Sequence, residues 1–301
     1  MRRFVWLVVF ACALQELLFC QESGLTFSAR YAASFVDFGQ VHRLDTSAGY
    51  RFNNHVAMAV GIPFYFVRSS TELAGSSSTS ANGIGNAYLN LSVAAETAQF
   101  RYWSTATATA PTGDKSKGFS TGRVTFDWTN GFSKNLGRLT PFLSLGVANA
   151  ITDSPFWIRP FSSLGLNAHA EGGGVFRIGG PVSAGASAYA ILPTGEQKIY
   201  SRVVPRQAGP TPQSQMGGAH TPPGQAGGAG HGNERVFETS AVTVGGSTIS
   251  RDNGFSAWLT ARLSGYIDFV ALYSHSVTYS LDSFSTGFGI DIGSLIKAHR
   301  L

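Results

Sequence analysis

The sequence predicts an all-β chain folded as a transmembrane antiparallel up-and-down β-barrel of about twelve strands, and three observations predict it. Apolar and polar side chains alternate residue by residue through a dozen segments, which is the period of a strand and not of a helix. Turn signals separate those segments, and the connections run alternately short and long. The composition is rich in small and aromatic residues and poor in charge, with 36 Gly, 22 Phe, 10 Tyr and 13 % charged residues.

The chain begins MRRFVWLVVFACALQELLFCQES. Arg2 and Arg3 precede an apolar run from Phe4 to Leu14, and Leu17 to Phe19 close the greasy part. That order is the layout of a secretory signal peptide, so residues 1–22 are expected to be removed and 23–301 to form the barrel. The run is shorter than the roughly 20 apolar residues of a membrane-spanning helix, and no later stretch is long enough. Ala11-Cys12-Ala13 offers the small residues of a cleavage site but comes early, and Phe19 is too bulky to precede a lipidated Cys20. Both cysteines, Cys12 and Cys20, fall in this segment. The exported chain is therefore held by its core or by a membrane, not by disulfides.

Removing the leader through Cys20 takes Arg2, Arg3 and Glu16 and lowers the net charge from +5 to +4. The pI near 9.3 comes without a basic run or stripe, which argues against a nucleic-acid partner.

The strands follow in order. Segment 25–36 sets Leu25, Phe27, Ala29, Tyr31, Ala33 and Phe35 against Thr26, Ser28, Arg30 and Ser34. Segment 43–52 sets Leu44, Ala48, Tyr50 and Phe52 against Arg43, Asp45, Ser47 and Arg51, and 55–66 carries Val56, Met58, Val60, Ile62, Phe64 and Phe66 on one face. Segments 84–95, 99–110, 121–132 and 139–149 come next, then 161–178. In this last one Leu166, Ala168, Ala170, Phe176 and Ile178 oppose Asn167, His169, Glu171 and Arg177, and Gly172-Gly173-Gly174 oppose a helix. Segments 182–192, 254–263, 266–277 and 284–292 complete the set. Most reach the ~9–11 residues that cross a bilayer obliquely.

Alternation alone does not say which face is wet; the connections do. Short ones are 53–54, 96–98, 134–138, 179–181 and 264–265, and the long ones include 67–83, 111–120, 150–160 and 193–253. Short periplasmic turns and long extracellular loops are the habit of a bacterial outer-membrane barrel, and an even strand count returns both termini to the short-turn side. A soluble sandwich has no reason for that parity. The apolar set is therefore expected to face lipid, with Phe27, Tyr31, Phe35, Tyr50, Phe64, Phe66, Phe100, Tyr102, Trp128, Phe132, Phe176, Phe255 and Tyr273 as an aromatic girdle toward strand ends.

The stretch 204–233 is low-complexity Pro/Gly/Gln sequence that cannot bury a core, inserted in a loop on the extracellular rim. The flank 236–251 reads as a hairpin about Gly245-Gly246, which would make fourteen strands if it joined the barrel.

Four patches now carry a resemblance: GIGNAYLNLSV at 83–93, PTGDKSKGFSTGRVTFDW at 111–128, HAEGGGVFRI at 169–178 and YAILPTGE at 189–196. In this order the chain resembles, over roughly 24–293, the outer-membrane barrels associated with the meta-cleavage pathway of phenol degradation, a family assigned to transport. The resemblance implies a twelve-stranded type of barrel that passes small, often aromatic, compounds, and it implies no catalytic residues. The insert at 204–233 and the ending IGSLIKAHRL, which lacks a terminal aromatic, depart from that pattern.

The predicted lumen carries Arg30, Arg43, Arg51, Arg101, Arg123, Arg177 and Arg262, with Asp45, Asp127, Glu171, Asp268 and Asp291, and His55 and His169. Such charges pair with one another or with lumen water. They either stiffen the barrel or line a mildly cationic passage that favours anions such as carboxylates. Trp103, Phe142, Tyr189 and Trp258 are expected inside as well. His169 and Glu171 have the spacing of a metal pair, but a lone His-x-Glu on a strand is far more often an ordinary polar pair, and His220 and His231 are too isolated. PTGDKSKG lacks the spacing of a phosphate loop.

The function expected is passive passage of small molecules, aromatic or anionic, through an outer membrane, without cofactor or metal and without enzyme activity. Two alternatives stand beside it. One is a structural or adhesive barrel whose 193–253 loop binds a surface partner. The other, weaker, is a lipid hydrolase using His275 in YSHSVTYS, which lacks a nucleophile elbow.

Overall fold

The computed structural model describes residues 24–37, 39–69, 80–151, 153, 158–204 and 235–298. The expected signal peptide and nearly all of the 204–233 insert, with His220 and His231, lie outside the described residues.

The strands are β1 (Gly24–Val36), β2 (Gly39–Arg51), β3 (Val56–Ser69), β4 (Ser80–Ile84), β5 (Tyr88–Glu96), β6 (Phe100–Thr109), β7 (Thr125–Lys134) and β8 (Leu139–Ala148). They continue with β9 (Phe161–Leu164), β10 (Asn167–Gly179), β11 (Val182–Pro193), β12 (Gln197–Ser201), β13 (Val242–Gly245), β14 (Asp252–Arg262), β15 (Ile267–Ser276) and β16 (Leu281–Asp291). Two short helices, α1 (Val236–Thr239) and α2 (Ile292–Ala298), complete the described chain.

Twelve strands close a ring in the order β1-β2-β3-β5-β6-β7-β8-β10-β11-β14-β15-β16. Each pairs antiparallel with its neighbours, and β16 returns to β1 from Thr26–Asp291 to Phe35–Asp282. The last strand therefore forms without a terminal aromatic, and Asp291 Oδ1 accepts from the Ser294 N–H at the start of α2. Twelve strands about 4.8 Å apart and tilted about 40° give a backbone cylinder about 24 Å across. No helix among the described residues is long and apolar enough to cross a membrane.

The two faces are sorted as the alternation predicts. Along β8, Leu143 and Leu145 are 49 % and 51 % exposed, whereas Ser144 between them is 3 % exposed. The outward shell holds Leu25, Phe27, Tyr50, Val60, Leu91, Phe132, Phe176 and Phe288. Five tight turns connect strands at one end; at the other, which is the outer mouth in a bacterial barrel, β1–β2 (37–38) and β15–β16 (277–280) are also joined tightly and the four long connections gather.

Three readings are corrected. Segment 161–178 is two strands, because β9 pairs with β12 and β10 with β8 and β11, and the chain changes sheets at Gly165, whose φ is +154°. Segment 84–95 narrows to β5, paired to the inner half of β3, and β4, paired to its outer half, lies almost wholly in the stretch 67–83 expected to be a loop. The flank 236–251 is not a hairpin: α1 precedes β13, which pairs with β12, and a 3-10 turn over Ser247–Ser250 follows. With β9 these make a separate three-stranded sheet, so the barrel has twelve strands and not fourteen.

Candidate functional site

Strand alternation brings most of the predicted lumen residues onto the inner wall. Arg43 is buried and binds Asp45 through Nη2, and the Tyr88 hydroxyl donates to Asp45 Oδ1 at 3.1 Å. Arg30 lies opposite Asp45 on the neighbouring strand. Arg51, near the short-turn end, is also buried. Arg262 Nε donates to Asp268 Oδ1 at 3.2 Å. Arg101 lies opposite Ser133. His169 Nε2 is 3.0 Å from Asp127 Oδ2, and Thr129 Oγ1 donates to Asp127 Oδ1 at 2.7 Å. Glu171 accepts from Ser187 Oγ at 2.5 Å. His169 and Glu171 therefore engage different partners rather than converging on one point.

Arg123 and His55 are not on the wall. Arg123 is an exposed loop residue, because β7 begins at Thr125, after Gly122 has turned with φ +72°. His55 sits in the exposed turn after β2, with Nδ1 2.9 Å from the Ala94 carbonyl oxygen.

Large inner side chains lie over glycines of the adjacent strand. A Cβ on Gly131 would meet Trp103 at 2.0 Å, one on Gly185 would meet Trp258 at 2.1 Å, and one on Gly146 would meet His169 at 2.3 Å. These close approaches let long side chains lie flat along the wall. The ring of Phe142 meets that of Trp258 at 6.3 Å.

The outer mouth is packed. Tyr65 and Val67 of β3, Val41 of β2 and Ala32 of β1 form a core with Phe119, Ile158 and Val203 from the long loops. A second core joins Phe161, Ile199 and Phe237 to Tyr279 and Leu281, which ties the three-stranded sheet to the barrel end. Such packing removes apolar side chains from water, the main favourable term in folding.

Buried charge fixes the loops in place. Asp153 accepts from the Tyr65 hydroxyl at 2.5 Å, and Arg159 Nη2 donates to Asp252 Oδ2 at 3.0 Å. Tyr65 belongs to β3 and Asp252 to β14, five strands apart round the ring, so this loop spans the mouth. Arg202 gathers the loops: it donates to Asp153 Oδ2 and to the Arg159 carbonyl, each at 2.7 Å, to Ser162 Oγ at 2.8 Å and to the Gly118 carbonyl at 3.3 Å. Its guanidinium carbon lies 4.4 Å from the Tyr65 ring centroid. Gly118 is required here, since a Cβ would stand 2.1 Å from the Ser201 carbonyl oxygen. Burial pushes the Asp153 carboxyl up, but Arg202 and Arg43, the Tyr65 hydroxyl and the Arg159 N–H outweigh it and hold it below the usual carboxylate range.

Sequence reasoning placed these segments on the rim and missed that they fold inward. The signal was present in Ile158, Phe161, Ile199 and Val203, apolar residues that a solvated loop has no use for.

His275 points outward. Its Nδ1 is 2.9 Å from Asp282 Oδ1, which also accepts from the Tyr273 hydroxyl at 2.6 Å. Ser274, Ser276, Ser283 and Ser285 are buried on the opposite face of the same strands. Alternation thus keeps these serines from the imidazole, and the hydrolase reading loses the nucleophiles that motivated it.

No family model matches the chain, and no curated relative matches it in sequence. Its fold is similar to that of an outer-membrane channel from Pseudomonas putida F1, with a TM-score of 0.56 at 11 % identity, covering 90 % of this chain and 96 % of that one. The fold is that of an outer-membrane β-barrel. The NanC porin is also similar, with a TM-score of 0.48 at 8 % identity, covering 88 % of this chain and all of that one (100 %).

Proposed function

We propose that the chain is an outer-membrane channel for small solutes, anionic ones preferred, whose outer mouth is closed by its own loops in the conformation described. The observation that carries this reading is the accessibility of the inner wall. His169 and Asp127 face inward, each the third residue from the outer end of its strand, yet retain 23 % and 26 % of their side-chain exposure, so space for solvent lies against the inner wall just below the mouth. A barrel filled as a core would bury them.

Anion preference rests on formal charge: Arg30, Arg43, Arg51, Arg101, Arg177 and Arg262 on the inner wall outnumber Asp45, Asp127, Glu171, Asp268 and Asp291. The sequence resemblance to barrels of phenol degradation supports aromatic compounds among the solutes. Reversal potentials of the folded protein under a salt gradient test the reading. Anion preference that falls when Arg101 and Arg177 are both replaced by Gln supports it, and a cation preference overturns it.

A further inference from the structure

We infer that the short-turn end of the lumen holds an anion-binding station centred on Arg177, shaped for the carboxylate of a solute whose apolar ring lies against Phe142 and Trp258. The inference deepens the channel reading and rests on it for the solute's access.

Arg177 is on the inner face of β10, since Phe176 and Ile178 on either side of it are 47 % and 51 % exposed to the outside. Its Nε and Nη2 are buried and have no hydrogen-bond partner among the described residues. Those two N–H groups form one edge of the guanidinium, the edge that meets a carboxylate with two parallel hydrogen bonds. A guanidinium stays charged at any physiological pH, so leaving that edge dry and unpaired is costly. The site is therefore built for an acceptor that the rest of the wall does not supply.

The surroundings fit a carboxylate. Thr140 is opposite Val175 on β8, which makes it the diagonal neighbour of Arg177, about 7–8 Å away between backbones and within reach of a long side chain. Ser133 is opposite Phe142, one diagonal step further. The hydroxyls of Thr140 and Ser133 are buried and, among the described residues, also lack a hydrogen-bond partner. Arg101 lies opposite Ser133, so two arginines bracket two hydroxyls along the wall.

The ring is placed by the next row toward the mouth. Val175 is opposite Gly185, and Gly185 is opposite Trp258, which lies across that glycine toward β10 and meets Phe142. The aromatic pair therefore stands immediately on the mouth side of Arg177. Glu171 lies further along the same inner face of β10, beyond Gly173, so a solute of more than one negative charge is disfavoured.

The test is a titration of the refolded full-length protein in detergent with sodium benzoate, read by intrinsic tryptophan fluorescence. Saturable binding is expected, at least tenfold tighter than for benzyl alcohol or acetate, and weakened at least tenfold in Arg177→Gln. Thr140→Val combined with Ser133→Ala, which leaves both arginines in place, is expected to weaken it threefold or more. Equal binding by benzyl alcohol, equal competition by inorganic phosphate, or unchanged affinity in both variants overturns the station. Ion conduction with no benzoate binding removes the station and leaves the channel. Benzoate binding without conduction, even when the mouth is unlatched, leaves the station and removes the channel.

Discussion

Arg202 and Asp153 are joined at 2.7 Å with their side chains 4 % and 3 % exposed, so the charge pair that closes the outer mouth is itself sealed from solvent. A buried ion pair adds little net stability when intact but is expensive to break, because the remaining charge is stranded. That asymmetry suits a latch. The closed arrangement is specified sharply, and loss of either partner releases it.

Arg202→Gln leaves Asp153 with the Tyr65 hydroxyl, the Arg159 N–H and the charge of Arg43, but without its bonded guanidinium. Breaking such a pair costs about 3–5 kcal/mol, a shift of more than a hundredfold in the closed-to-open balance. Both native cysteines fall within the first 20 residues, so Val203→Cys gives a clean reporter. A membrane-impermeant thiol reagent should label it much faster when Arg202 is replaced. Equal labelling rates would remove the latch.

Acid should release the same latch. The bound Asp153 carboxyl has a lowered pKa, so its contribution is complete above the ordinary aspartate value of about 3.9 and disappears as pH falls through the lowered one. The mouth is thus expected to stay shut from neutral pH down to about 4 and to open below that. Labelling of Val203→Cys as a function of pH checks the sign. Opening on alkalinisation instead would mean that another group controls the mouth.

Gly146 on β8 lies beneath the imidazole of His169, and an added methyl would also stand 2.8 Å from the Trp128 carbonyl oxygen. Gly146→Ala must displace His169 from Asp127, at an overpacking cost of about 1–3 kcal/mol. Denaturant unfolding of the refolded barrel measures it, and a stability equal to that of the parent would contradict the seat.

The assignment of faces can be tested with one arginine. Leu143→Arg puts a charge on the lipid side midway along β8, at about 2–4 kcal/mol, whereas Thr129→Arg, on the lumen side of β7, should cost much less. The reverse order would turn the barrel inside out.

The barrel was legible in the sequence because lipid outside and water inside impose a strict alternation on every strand. Leu143-Ser144-Leu145 and Phe176-Arg177-Ile178 carry it without exception, and loop parity supplied the orientation. Arg101, Asp127, His169, Glu171, Arg177 and Arg262 could be placed on the inner wall for the same reason. Arg123 was misplaced because alternation continues past the end of the ladder into a loop, where nothing enforces it. The mouth was not legible. Asp153, Arg159 and Arg202 meet through contacts between segments far apart in sequence, and no period records such a meeting. The split at Gly165 and the pairing of β4 depend likewise on which strand end finds a partner.

The most direct measurement is single-channel conductance in a planar bilayer of the parent and Arg202→Gln side by side, each shown to be folded by heat-modifiable gel migration. A lumen that conducts once its loops are released predicts rare or small steps from the parent and frequent, larger, anion-preferring steps from the variant. Silence from both folded proteins, or identical steps from both, would contradict it.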